Sequence, residues 1–209
     1  SSRASEGKSF SSLSLARKLA ERGKRVVLVD TDLRRSRMVS TYGVKFPQDS
    51  KKYGLSHYLA GIAEQDEVLY KTTVAALDFV PVGRDLLNPL PLLSSNRFQA
   101  LLDRLAEAYD YVIVDAAPVG VVIDAAEIAK YCDGILLVVN YNQVHRQELI
   151  DAKAQLENSG CPILGTILNQ VDYDGFTNKK YYYKSHYYSY YKAYEKGADE
   201  KGADEKKKG

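Results

Sequence analysis

The sequence predicts an α/β domain whose mainly parallel sheet is flanked by helices, followed by a flexible tyrosine-rich tail. Three observations carry this. Four short apolar runs, RVVLVD (25–30), YVIVD (111–115), GILLVV (134–139) and PILGTILN (162–169), are rich in Val and Ile and lack polar alternation, as parallel strands covered on both faces do. Helical patterns lie between these runs, and strand alternating with helix is the order that builds a parallel sheet. From Tyr173 onward Leu, Ile and Val disappear, and such a segment cannot bury enough apolar surface to offset its ordering entropy. The domain is read as residues 1–172 and the tail as 173–209.

Taken in order, the first helix is expected over Ser11 to Arg22, which carries Leu13, Leu15, Leu19 and Ala20, with Gly23 as its stop. RVVLVD is the first strand. Residues 40–78 are harder to assign; YGLSHYLAG (53–61) reads as a short helix closed by Gly61, and FVPVG (79–83) as a further strand. Phe98 to Tyr109 repeats apolar residues at three- and four-residue steps and is a helix leading into YVIVD. A last helix runs from Glu148 to Leu156, before Gly160 and PILGTILN.

Composition narrows the function. A chain of 209 residues with 45% hydrophobic and 27% charged residues is one ordinary globular domain with a tail. A net charge of +2, spread along the chain, gives no basis for nucleic-acid binding. No run approaches the length of a membrane span or a signal peptide, so membrane association would need a partner. Cys132 and Cys161 sit beside strand-like runs and read as reduced core thiols. With His57, His145 and His186 scattered, a zinc site is not expected.

The chemistry lies in three pieces. SSRASEGKSF (1–10) holds Gly7-Lys8-Ser9 at the start of a helix, the second half of a phosphate-binding loop. Backbone N–H groups at a helix N terminus favour an anion, Lys8 can reach β- and γ-phosphates, and the Ser9 hydroxyl can hold Mg²⁺. The strand that should precede the loop is not in the sequence, which starts inside the motif; a missing front, strand and upstream helix, is expected. Twenty-one residues after Ser9, VVLVDTDLRR places Asp30 and Asp32 at the carboxyl end of a buried strand, where open α/β sheets bind ligands. Two carboxylates there repel unless a cation or proton intervenes. YVIVDAAPVG sets Asp115 at the end of another apolar strand, placed to reach the same metal.

The Asp-x-Asp-x-Arg element (Asp30, Asp32, Arg34) between a degenerate phosphate loop and Asp115, followed by a tyrosine-rich tail, resembles the bacterial tyrosine kinases, P-loop proteins that regulate capsular and extracellular polysaccharide synthesis. YGLSHYLAG, VPVGRDLLNPLPLL, NRFQALLDRLAEAYDYVIVD, DAAEIAKYCDGILLVVN and GTILNQVD extend the resemblance over essentially the whole chain. It implies a P-loop NTPase-like fold and an autophosphorylating protein-tyrosine kinase using ATP and Mg²⁺. It assigns nucleotide contacts to Ser5, Glu6, Gly7, Lys8, Ser9 and Phe10, an adenine contact to Asn169, and phosphate or carboxylate contacts to Arg34 and Arg35. Ser9, Asp32 and Asp115 would serve the metal, and Asp30 would accept or orient the proton of the attacking phenol, with Lys8 beside it. The family's Pro-Gly is Ala4-Ser5 here, its Thr is Phe10, and its Thr-Pro-Pro after the second acidic strand is Ala116-Ala117-Pro118. None of these removes a group with a named role, so activity is expected, with ATP binding the property most exposed to the loop changes.

The resemblance also implies a membrane-embedded activator of the polysaccharide co-polymerase type, homo-oligomers, a cognate phosphotyrosine phosphatase, and a cytoplasmic protein held at the inner face of the membrane by its activator. Tyr181, Tyr182, Tyr183, Tyr187, Tyr188, Tyr190, Tyr191 and Tyr194 are the expected phosphoacceptors, because a solvated segment enters an active site without unfolding anything. The tandem GADEK unit reads as a spacer. Two other readings stand beside this one: a partitioning-type ATPase that spends ATP on water, and a nucleotide-binding adaptor that has lost catalysis.

Overall fold

The computed structural model describes residues 1–48 and 50–171. Along the chain come α1 (Lys8–Glu21), β1 (Val26–Asp30), α2 (Met38–Thr41), α3 (Leu55–Leu59), α4 (Gln65–Val68), β2 (Tyr70–Lys71), β3 (Leu77–Val80), α5 (Leu90–Leu93), α6 (Asn96–Ala108), β4 (Tyr111–Asp115), α7 (Asp124–Ala129), β5 (Ile135–Asn140), α8 (Arg146–Glu157) and β6 (Ile163–Asn169). Four strands form one sheet in the order β2-β3-β1-β4, and β5 pairs with β6 in another. β1 runs parallel to β3 and β4, and β5 parallel to β6, while the two-residue edge strand β2 is antiparallel to β3. The fold is thus α/β with a mainly parallel sheet.

β1 shows why an unbroken apolar run marks a central strand. Its alternate residues Val27 and Val29 join Phe98, Leu101 and Leu105 of α6 and Leu55 of α3 in one core layer. Val26 and Leu28 point the other way, against Ala16 and Ala20 of α1. Successive side chains of a strand face opposite sides, so both layers need apolar residues. α6 buries Phe98, Leu101, Leu102 and Leu105, one stripe of a 3.6-residue period, and its Ser95 cap accepts a hydrogen bond from the Phe98 N–H at 3.3 Å. Each such side chain contributes about 1.5–3 kcal/mol by leaving water.

Several elements depart from expectation. α1 starts at Lys8 and not Ser11, because Gly7 caps it in the left-handed region at φ 88°. β3 stops at Val80; the Pro81 and Val82 carbonyls turn instead to the Leu55 and Ser56 N–H groups at 2.7 and 2.9 Å. α7 carries no long periodic signal and was not legible. β6 is not covered on both faces: α8 packs one side through Ala152 and Leu156, while Leu164 and Leu168 stay exposed. Cys132 and Cys161 are free, and burial pushes the Cys132 thiol up to about 11.

No ladder joins β4 to β5. Val114, Leu136, Val138, Ile128 and Leu156 line a cleft of about 130 Å³ in which Ser1 and Lys8 also take part. Among the described residues no helix is long and apolar enough to cross a membrane.

Candidate functional site

Parallel register sets Asp30 of β1 opposite Asp115 of β4, so both carboxylates leave the sheet at one edge. Backbone and side chain lock that edge: the Thr31 N–H and hydroxyl both donate to the Asp115 carbonyl, at 2.8 and 2.7 Å. α1 brings two hydroxyls to the Asp115 carboxylate. Ser9 Oγ donates to Oδ2 at 2.6 Å and Ser12 Oγ to Oδ1 at 3.0 Å. One helical turn separates the two serines, which places them on the same face.

The loop ahead of α1 is held from beneath and from the side. The buried Glu6 carboxylate accepts from the Arg3 N–H at 2.8 Å and the Ser2 hydroxyl at 3.3 Å. From the end of β6, Asn169 Nδ2 donates to the Glu6 carbonyl at 2.9 Å. A Cβ at Gly7 would lie 1.9 Å from that same nitrogen, so this close approach requires glycine. Ser5 sits at φ 65°, a region costly for a residue with a side chain. Ser5→Gly is therefore expected to stabilise the domain by up to about 1 kcal/mol and to lower the KM for ATP. Thermal melting and an ATP titration check this; no change in either would mean the loop carries no strain at Ser5.

Burial dominates the electrostatics. Asp30 is 1% exposed, and desolvation pushes its carboxyl up to about 7; the neighbouring Asp115 and Asp32 charges add to the rise, while hydrogen bonds from the Ser36 hydroxyl and the Asp32 N–H oppose it. Desolvation also raises Asp115, against Ser9, Ser12 and Lys8. Lys8 is lowered by its own burial, with Asp115, Glu6 and Asp32 pulling it back. The Lys8 ammonium thus stands among Asp115, Glu6 and Asp32.

The donor set fits a small hard cation. Among the described residues no cluster of three His, Cys, Asp or Glu side chains is positioned to cage a metal. Ser9, Asp32 and Asp115 instead offer one hydroxyl and two carboxylates, which suits Mg²⁺, an ion that keeps most of its ligands as water and phosphate oxygens.

Of the residues singled out from the sequence, Lys8, Ser9, Asp30, Asp32 and Asp115 come together, and Asn169 reaches the loop they share. Arg34 does not face them. Its guanidinium makes a fork to Asp124, Nε to Oδ2 at 2.6 Å and Nη2 to Oδ1 at 3.0 Å, and donates from Nη1 to the Leu87 carbonyl at 3.0 Å. The carboxylate alternative for Arg34 is the one seen. Phe10 and Ser5 are exposed beside the loop. The tyrosines from Tyr181 to Tyr194 lie outside the described residues. Ser12, Thr31, Ser36 and Asp124 were missed; only Ser12, one turn beyond Ser9, had a signal in helical spacing.

Known proteins share this fold. The AAA domain family matches residues 4–157. The tyrosine-protein kinase CpsD of Streptococcus agalactiae serotype III is 40% identical over 170 residues, 81% of this chain and 72% of that protein. The kinase domain of the Escherichia coli tyrosine kinase ETK superposes with a TM-score of 0.77 at 32% identity, covering 87% of this chain and 69% of that one. The septum site-determining protein MinD of Pyrococcus horikoshii, complexed with Mg-ADP, shares the fold, with a TM-score of 0.67 at 24% identity over 80% of this chain and 67% of that one.

Proposed function

The chain belongs to the bacterial tyrosine kinases of capsular and exopolysaccharide systems, and we propose that it uses Mg-ATP to phosphorylate tyrosines of its own 173–209 tail. The supporting observation is the meeting of Lys8, Ser9 and the Asp30–Asp115 pair at one strand edge, over the N terminus of α1. Residues 1–172 are the catalytic unit in this reading, and the tail is its substrate.

Lys8 presents its ammonium to the β- and γ-phosphates of ATP, and the first-turn N–H groups of α1 favour the same anion. Ser9, Asp32 and Asp115 would hold the magnesium, which when bound supplies positive charge against the phosphate oxygens. Asn169 holds the loop through the Glu6 carbonyl and would contact the adenine. A tyrosine with a pKa of about 10 is almost wholly protonated at neutral pH. Asp30 accepts that proton as the tyrosyl oxygen bonds to the γ-phosphorus and the bond to the departing ADP oxygen breaks. Burial makes Asp30 a stronger base than an exposed aspartate.

The acceptors are Tyr181, Tyr182, Tyr183, Tyr187, Tyr188, Tyr190, Tyr191 and Tyr194. Each phosphate adds about −1.5 to −2 charges, so modification of a few would turn the lysine-bearing tail acidic and loosen homo-oligomer contacts by repulsion. A membrane-embedded co-polymerase subunit is the proposed activator, holding the kinase at the inner face of the membrane, and a phosphotyrosine phosphatase would reset the tail.

Incubating the full chain with labelled ATP and Mg²⁺ tests this. The expected product is alkali-stable phosphotyrosine mapping to 181–194, reduced roughly 100-fold or more in Lys8→Met. Free phosphate alone would favour an ATPase, and neither product an adaptor. Label on tyrosines outside the tail would sink the assignment of the acceptors.

A further inference from the structure

We infer that Ser36 is a positioning residue for Asp30, holding its carboxylate in the orientation that takes the phenolic proton. This rests on the role proposed above for Asp30. Among the described residues Ser36 is the only side chain donating a hydrogen bond to Asp30, through a short contact from Oγ to Oδ2. The other oxygen, Oδ1, accepts from the Asp32 N–H at 3.2 Å. The carboxylate plane is thus gripped at both oxygens, and each retains lone-pair capacity for a substrate.

Ser36 is itself oriented. Its Oγ accepts from the Met38 N–H at 3.2 Å, which engages a lone pair and directs the hydroxyl proton towards Asp30. Met38 opens α2 and is buried in the core layer that contains Val26 and Leu28 of β1. A chain of contacts therefore runs from the packed core through Met38 and Ser36 to the carboxylate. Asp30 has no ion pair among the described residues. Without Ser36 the carboxylate would keep its Asp32 contact alone and rotate about its χ2 bond, a broad torsion with little intrinsic preference. Small misalignments of a reacting group are costly because the near-attack geometry is then visited less often.

The experiment compares Ser36→Ala, Ser36→Thr, Asp30→Ala and the Ser36→Ala/Asp30→Ala double variant, all in the full chain with Mg-ATP, by initial rates of phosphotyrosine formation, ATP titration and melting. Ser36→Ala is expected to lower kcat roughly 10- to 100-fold with the KM for ATP unchanged. Ser36→Thr, which keeps the hydroxyl, is expected to retain most of the rate. In the Asp30→Ala background Ser36→Ala should cause no further loss. Wild-type kcat in Ser36→Ala, equal losses in the Ala and Thr variants, or a Ser36→Ala loss that persists without Asp30 would each overturn the inference. If Asp30→Ala keeps the full rate, the base role itself fails; if Asp30→Ala loses activity and Ser36→Ala does not, only the role of Ser36 fails.

Discussion

Asp30→Asn is expected to slow phosphotyrosine formation by two to four orders of magnitude while making the magnesium-free protein more stable above neutral pH. The loss follows from removing the proposed general base, a role typically worth about 10²–10⁴-fold. The gain in stability follows from linkage. Asp30 is pushed up to about 7 in the folded protein, against about 3.9 in an unfolded chain. A carboxyl that binds its proton more tightly when folded favours folding in full below about pH 4, and that contribution is lost as pH climbs through 7. At about 1.4 kcal/mol per pH unit the effect has a ceiling on the order of 4 kcal/mol. Asn keeps an acceptor for the Asp32 N–H without ever ionising. Melting curves in chelator at pH 5.5 and 8 check the point: wild type should lose stability across that interval and Asp30→Asn should lose less. Equal slopes would show that the carboxylate is not desolvated as the structure has it. For the same reason the wild-type rate should rise as pH passes upward through about 7.

Arg34→Ala is expected to destabilise the domain by about 3–5 kcal/mol, the usual cost of leaving one half of a buried ion pair uncompensated. The side chain of Asp124 is 2% exposed, and Arg34 supplies its two charge-assisted hydrogen bonds. The same guanidinium ties down the Leu87 carbonyl, so three segments come loose together: the turn after β1, the loop before α5 and the first turn of α7. Arg34→Lys keeps the charge but cannot form the fork, and should recover only part of the loss. Urea denaturation measures both. A change below about 1 kcal/mol in Arg34→Ala would mean that water replaces the guanidinium at Asp124. Activity would fall with stability in this variant, because the clamp borders the Asp30–Asp32 turn without facing the edge proposed for the nucleotide.

The order of strands and helices was legible because β1 and β4 are apolar runs ending in aspartate, and α6 repeats its core residues with helical period. The convergence of Lys8, Ser9, Asp30 and Asp115 was legible for a related reason. In a parallel sheet every strand presents its carboxyl end at the same edge, so acids that end apolar runs must gather there. Asn169 shared that logic, as the last residue of β6. Arg34 was harder. A guanidinium next to two aspartates suggests phosphate as readily as carboxylate, and its actual partner lies ninety residues further along. Ser36 had no signal, since the turn over residues 31–37 that folds it back on Asp30 has no period to read. The exposed face of β6 was misjudged because an apolar run specifies a strand without saying how many of its faces are covered.

The sequence by itself determined the alternation of β and α elements, the phosphate loop, the acids at the strand ends and the family to which the chain belongs. These depend on short-range pattern and on motifs whose chemistry needs fixed residue types at fixed spacing. Only the tertiary structure decided which partner each polar side chain takes: Arg34 with Asp124, Ser12 with Asp115, Ser36 with Asp30 and Asn169 with the Glu6 carbonyl. A buried donor or acceptor must find a partner wherever the packed backbone brings one within reach, and that reach is set by contacts between segments far apart in the chain.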